Sequence, residues 1–273
     1  MLYGSEIWGC SKRVAIERIH TLFLKSVLQV KTTTQNDFVY TECGRIDLYS
    51  IGVVNMIKYW FKVINASEHK YINSVYKTMV QDIELRPRST NWAMYVKNIL
   101  TQLGFYHVWL NQGVENIPLF ISLFRQRVRD TFIQALEGRV NDSSRALFYK
   151  SIMNFNFQKY LTCVNIPKYR IALSKLRLSS HRLNIEVGRW NNTPVNERLC
   201  TICNVLEDEY HFIFECQRYI DLRDLYIPRY FRIRPSMLKC KELLQSENVR
   251  IIRNLSMYVY KAFEIRSRAV QSN

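Results

Sequence analysis

Apolar residues recur along this chain at the spacing of helix faces, and almost nowhere do they alternate with polar ones as strands require. Over residues 12–30, Val14, Ile16, Ile19, Phe23, Leu24, Val27 and Leu28 share one broad face. Asn36 is placed to cap a short helix ending at Gly44, and Asp47 to cap one running to about Asn65 through Ile51, Val54, Ile57, Tyr59 and Trp60. Ser67 opens another through Tyr71, Val75, Tyr76 and Met79, and residues 90–103 form one closed by Gly104. The longest early stripe is Ile117, Phe120, Ile121, Phe124, Val128, Phe132 and Leu136, with Arg125, Arg127 and Arg129 on its polar face. Pro167 suits a helical first turn, and the helix it starts is expected to reach Leu183. Near the C-terminus, helices are expected at 217–227, 236–245 and 247–268, the last with Ile251, Leu255, Tyr258, Ala262 and Ile265 making a stripe. The fold class is all-α: an irregular multi-helix bundle. RPRST at 86–90 and Asn165-Ile166-Pro167 suggest joints, giving segments 1–85, 86–165 and 166–273.

Cys200, Cys203, His211 and Cys216 interrupt this helical pattern, spaced Cys-x2-Cys-x7-His-x4-Cys. Three thiolates and an imidazole can close a tetrahedral shell around one structural Zn²⁺, leaving no place for water. The first pair fits a tight turn, and a helix over 207–219 would carry Glu207, Asp208 and Glu209 in its first turn, where the dipole favours acids. The alternative is three buried thiols and a core histidine. His181 is a fifth candidate, but the shell is already full, so hydrogen bonding or packing suits it better. His20, His69 and His107 sit in apolar helical contexts and read as core or boundary residues. Cys10, Cys43, Cys163 and Cys240 stand singly, as small buried hydrophobes in a reducing compartment.

Charge changes the functional picture. The 273 residues include 39 Lys and Arg against 23 Asp and Glu, a formal net charge of +16, which calls for a polyanionic partner, RNA or DNA first. No apolar run is long enough to span a membrane, and the N-terminus lacks a secretory signal pattern. A nuclear or cytoplasmic protein is expected, not a secreted one. Residues 167–198 hold seven basic residues against two acidic, a net of +5. Lys175, Arg177, Arg182, Arg189 and Arg198 are therefore candidate phosphate contacts, and the alternative is a solvated helix face. Trp190 can stack on an unpaired base or plug the knuckle against the helix.

Several stretches carry a family resemblance: "KLRLSSH", "IEVGRW", "ERLCTIC", "EDEYHF" and "ECQRY" around the knuckle, "MLYGSEIWG" followed by "IERIHTLFLKSVLQV" at the start, and, more weakly, "VYTECGRIDL" with "VVNMIKYWFK". Together they resemble the C-terminal region, thumb and linker plus CCHC knuckle, of non-LTR (LINE-type) retrotransposon reverse transcriptases. The resemblance implies a region that grips template RNA or target DNA during target-primed reverse transcription, beside the rest of a polyprotein. In that family the polymerase carboxylates precede the YGSEIWG segment. The sequence has no Asp-Asp pair to hold two metals, so no polymerase or nuclease activity is expected. Ser5 and Glu6 lack a nucleophile frame, and Tyr3, Ile7 and Trp8 suit packing anchors. Two other functions remain open: a helical protein–protein interaction module, and a retroelement remnant without function.

Overall fold

The structure, a computed structural model, describes residues 2–9, 11–67, 70–86, 90–144 and 147–271. Its helices are α1 (Ser5–Trp8), α2 (Val14–Leu28), α3 (Asn36–Glu42), α4 (Leu48–Ile64), α5 (Tyr71–Leu85), α6 (Trp92–Gln102), α7 (Tyr106–Leu110), α8 (Ile117–Asp142), α9 (Leu147–Ile152), α10 (Tyr160–Cys163), α11 (Pro167–Arg177), α12 (Asn184–Trp190), α13 (Ile220–Tyr226), α14 (Arg229–Arg232), α15 (Met237–Leu244) and α16 (Val249–Gln271). No strand forms among the described residues, so the fold is all-α, as expected. No described helix is long and apolar enough to cross a membrane.

Two compact units emerge, residues 1–20 with 46–138 and residues 21–45 with 139–273. Their limits fall inside α2, between α3 and α4, and inside α8, none of them near 86 or 165. Pro167 opens α11 inside the second unit, and a helix start need not bound a packed unit. Residues 87–89 of the first expected joint, like Cys10 and His69, lie outside the described residues.

In the first unit, α4 is the most buried element. Asp47 caps it as expected, accepting from the Ser50 amide at 2.9 Å. Its Trp60 is fully buried, stacks on Trp109 at 6.1 Å and donates to the Tyr76 hydroxyl at 2.8 Å. Phe61, Phe105, Phe120 and Phe124 continue the aromatic core. Gly9, at the end of α1, lets that backbone approach α4. A methyl group on it would lie 3.2 Å from the Gly52 Cα. Ser5 is buried and accepts from Asn55 at 3.0 Å, a packing role. Tyr3 and Ile7 are exposed, so they are not the anchors expected.

Four other details differ from the sequence expectation. On α2, only Leu24 and Leu28 of the expected stripe are buried, while Ile19, Phe23 and Val27 are 57%, 60% and 60% exposed. The buried arc of α2 is centred instead on Thr21, Leu24, Lys25 and Leu28. Asn36 opens α3 as its first helical residue, behind Gln35, and makes no cap bond. His107 is exposed rather than a core or boundary histidine. The helix from Pro167 stops at Arg177, because Ser179 takes φ +48° and the Ser180 amide turns back to the Lys175 carbonyl at 2.8 Å.

The second unit closes around a buried ion pair. Glu42, the last residue of α3, meets Arg177, the last of α11, with side chains 0% and 1% exposed. The guanidinium Nε donates to Glu42 at 2.5 Å, Nη2 to Gln158 at 3.0 Å and Nη1 to the Leu244 carbonyl at 2.6 Å. Tyr149 adds a hydroxyl 3.2 Å from Glu42, and the Tyr160 ring lies 5.4 Å from the guanidinium carbon. Burial works against the charge on Arg177, but the Glu42 carboxylate more than restores it, raising its pKa. Burial, followed by the charge of Glu42, pushes the Tyr149 and Tyr160 hydroxyls upward. Removing one partner of such a pair strands the other charge and costs about 3–5 kcal/mol. Arg177→Met should therefore lower the stability of this unit by about that much, read as a fall in the urea midpoint followed by circular dichroism. A midpoint unchanged from the parent would show that the pair is dispensable.

Candidate metal centre

Cys200 and Cys203 occupy a tight turn whose flanks pair, Leu199 with Leu206. The Cys200 amide donates to the Val205 carbonyl at 2.7 Å, and the Asn204 amide returns to the Cys200 carbonyl at 2.9 Å. Asn204 sits at φ +52°, a left-handed conformation that asparagine tolerates better than most residues. The backbone amides of Cys203 and Ile202 point at the Cys200 sulfur.

His211 and Cys216 come from the segment that follows, and here the expected helix over 207–219 is replaced. Residues His211–Glu215 make a single π-turn, entered through Asp208, whose carboxylate accepts from the His211 amide at 2.8 Å. A 3-10 turn at Gln217–Tyr219 then leads into α13. The wide turn leaves carbonyls without helical partners, and side chains from α13 and α16 take them. Buried Arg223 donates to the Ile213 and Cys216 carbonyls at 2.9 and 2.7 Å. The Tyr258 hydroxyl reaches the Phe212 carbonyl at 2.6 Å.

Two acidic residues of this segment are held by partners distant in sequence. Glu207 and Glu209 are buried. Glu207 receives Arg266 of α16 at 2.6 and 2.7 Å and the Asn184 amide at 2.8 Å, fixing the start of α12. Glu209 takes hydrogen bonds from Ser179 and His181, both at 3.0 Å. The Leu183 amide lies 3.2 Å from His181 Nδ1, which must accept from it, so His181 Nε2 carries the proton given to Glu209. His181 is thus a hydrogen-bonding histidine. Burial alone would raise the Glu209 carboxyl, yet the hydrogen bond from His181, with lesser bonds from its own backbone and Ser179, holds it below the usual range.

The one-atom ligands of Cys200, Cys203, His211 and Cys216 all lie within 4.8 Å of one another. The Cys216 sulfur stands 3.8 Å from that of Cys200 and 4.0 Å from that of Cys203, too far for a disulfide. Both ring nitrogens of His211 are buried, and neither has a hydrogen-bond partner. Nδ1 is 3.5 Å from the Glu215 carboxylate, too long for a good bond. Burial pushes the Cys216 thiol up to about 12, with the neighbouring Cys200 and Cys203 adding to it. Burial also opposes charge on Cys200, but the two backbone amides, His211 and Cys216 outweigh it and draw that thiol down to about 7. A buried imidazole without a partner beside crowded sulfurs fits a cation at their centre. These four residues could hold a metal ion. Of the single cysteines, burial raises Cys43 and Cys240 to about 12, in keeping with inert packing.

The expected nucleic-acid residues divide. Arg177 is spent in the Glu42 pair and, fully buried, cannot meet a phosphate. Arg198 lies over Gly188, where a methyl group would be 2.6 Å from its stem, and donates to the Thr193 and Ile185 carbonyls at 2.9 and 3.0 Å. Its task is to hold α12 against the knuckle turn. Arg182 is exposed, and Lys175 and Arg189 are half-buried, with Arg189 paired to Glu186 at 2.5 Å. Trp190 is 52% exposed and is not a plug for the knuckle. Lys31, absent from the sequence-based set, places its ammonium 3.4 Å from the Trp190 ring centre and also donates to the His181 carbonyl at 3.0 Å. Burial lowers the Lys31 ammonium, opposed by Glu186, and the nearby charges of Arg182 and Lys175 lower it further. No protein-family model, curated protein or solved structure matches the chain.

One metal ion per chain is expected by elemental analysis after purification under reducing conditions with metal supplied. Cys203→Ser should lose the ion yet keep most helical circular dichroism, since the other helices bury faces of their own. A parent chain that takes up no metal would refute the site.

Proposed function

We propose that the chain is a zinc-stabilised polynucleotide-binding module, and that it corresponds to the C-terminal, knuckle-bearing part of a non-LTR reverse transcriptase, as the sequence resemblance implies. Zinc suits the donor set: three thiolates and one imidazole make a closed structural shell. With metal–sulfur bonds of about 2.3 Å, a tetrahedron places its sulfurs about 3.8 Å apart, which agrees with the 3.8 and 4.0 Å separations. The metal organises the turn and performs no chemistry, and no catalysis is proposed for a chain without an Asp-Asp pair.

The observation that carries the binding proposal is a cluster in which Lys31 covers half-exposed Trp190, Arg189 lines the same pocket, and Lys175 and Arg182 lie near enough to act on the Lys31 charge. Only Glu186 among the groups acting on Lys31 offsets the repulsion within it. Cations crowded beside an accessible indole suit a phosphate strand with an unpaired base. Each phosphate contact contributes about 0.7 to 0.9 to the slope of log K against log salt. Lys175→Ala with Arg182→Ala should make that slope shallower by about 1.5, measured by fluorescence anisotropy with labelled RNA and DNA. Trp190→Ala should weaken single-strand binding by about 1–3 kcal/mol and leave duplex binding nearly unchanged. Binding that ignores salt would turn the proposal toward the second reading, a helical interaction module. That reading is favoured by α2, where Ile19, Phe23 and Val27, four residues apart, stand more than half exposed and could pack against the rest of a polyprotein.

A further inference from the structure

The longest helix of the second unit, α16, buries Ile252, Leu255, Tyr258, Val259 and Ala262. The opposite side is different in kind. Arg250, Arg253, Tyr260, Lys261, Glu264 and Arg268 fall within an arc of about 100° on a helix of 3.6 residues per turn. From Arg250 to Arg268 the arc runs about 27 Å at 1.5 Å per residue. Arg250, Arg253 and Arg268 are exposed, and Tyr260 and Lys261 half-buried. Four cations thus face one carboxylate, and that carboxylate already accepts the Tyr260 hydroxyl at 2.7 Å. Among the described residues, Arg250, Arg253 and Lys261 form no ion pair with an acidic side chain.

Neighbouring helices extend the same face. Lys168, at the start of α11, sets its ammonium 4.9 Å from the Tyr260 ring centre and 5.3 Å from that of Tyr169. The two rings meet edge-on at 5.3 Å. Lys261 lies 5.1 Å from the Tyr226 ring of α13. Arg253 donates its Nε to the Cys163 carbonyl at 2.9 Å, which fixes its stem at the surface.

We infer that this α16 face is a second polynucleotide-binding surface, separate from the Lys31–Trp190 cluster, and that it tracks a strand by its phosphates with tyrosine rings beside the sugars and bases. The inference rests on the proposed polynucleotide-binding function. Charge complementarity selects the partner: a row of cations interleaved with aromatic rings meets a polyanion with flat bases. An anionic lipid surface is the poorer match. A surface-lying helix inserts its apolar face, and that face of α16 is buried in the core.

The test is a salt series of anisotropy titrations on the full zinc-loaded chain with a labelled single-stranded oligonucleotide. Three proteins are compared: the parent, an α16 variant (Arg250→Ala, Arg253→Ala, Lys261→Ala) and an equal-charge control on α8 (Arg125→Ala, Arg127→Ala, Arg129→Ala). Losing three phosphate contacts should make the slope of the α16 variant shallower by about 2. The control should keep the parent slope, and both variants should keep their zinc and helical content. Ultraviolet cross-linking of the parent should label the peptides holding Tyr169 or Tyr260. An α16 variant with the parent slope would overturn the inference while leaving the Lys31–Trp190 proposal standing. Equal losses in both variants would show that total charge alone acts, and would overturn it too. A parent that binds no oligonucleotide would remove both proposals. An α16 variant that loses only its binding to phosphatidylserine vesicles would assign the face to membranes instead.

Discussion

Three cysteine sulfurs and an imidazole lie within 4.8 Å of one another, and both imidazole nitrogens are buried without a hydrogen-bond partner, an arrangement that could hold a metal ion. The surrounding polypeptide holds the four groups in place through bonds from several elements. The turn at Cys200–Cys203 aims amides at sulfur, and the π-turn at His211–Glu215 starts at His211 and delivers Cys216 just past its end, but gives up regular helical bonding. Arg223 and Tyr258 recover the carbonyls so exposed, and each does so from a different helix. Glu207 ties the same turn to α16 through Arg266 and to α12 through the Asn184 amide. A site that binds structural zinc can gain about 10 kcal/mol or more, which is ample to hold a segment whose local sequence does not favour its observed geometry.

The four-residue cluster was legible because its members lie close together in sequence and metal-binding chemistry restricts their types. The all-α class was legible because its stripes repeat over long helices such as α8 and α16. What escaped was set by contacts distant in sequence. The acidic run Glu207–Glu209 looks like an exposed first turn until His181 and Arg266 arrive from elsewhere. Arg177 has the composition of a phosphate contact, yet Glu42, 135 residues away, claims it. Arg198 is drawn inward because Gly188 leaves room for its stem. Lys31 was missed because nothing near it in sequence points to Trp190. On α2, periodicity measures how apolar a face is, not whether anything covers it.

The proposed binding function places its two faces on the same unit as the knuckle. Lys31, Lys175, Arg182, Arg189 and Trp190 belong to the short helices and loops that the knuckle braces. The α16 arc lies on the helix whose inner side supplies Tyr258 and whose Arg266 holds Glu207. The Cys–His cluster, the core and both basic faces are thus linked through named bonds. The ion would act on binding by holding α12 and α16 in register, not by touching a phosphate.

X-ray absorption at the zinc edge tests the central claim most directly, because it reads the ligand shell itself. The zinc-loaded chain should show three sulfurs at about 2.3 Å and one nitrogen at about 2.0–2.1 Å, with no oxygen. A shell containing water or carboxylate oxygen, or fewer than three sulfurs, would contradict the closed site from which the rest of the arrangement follows.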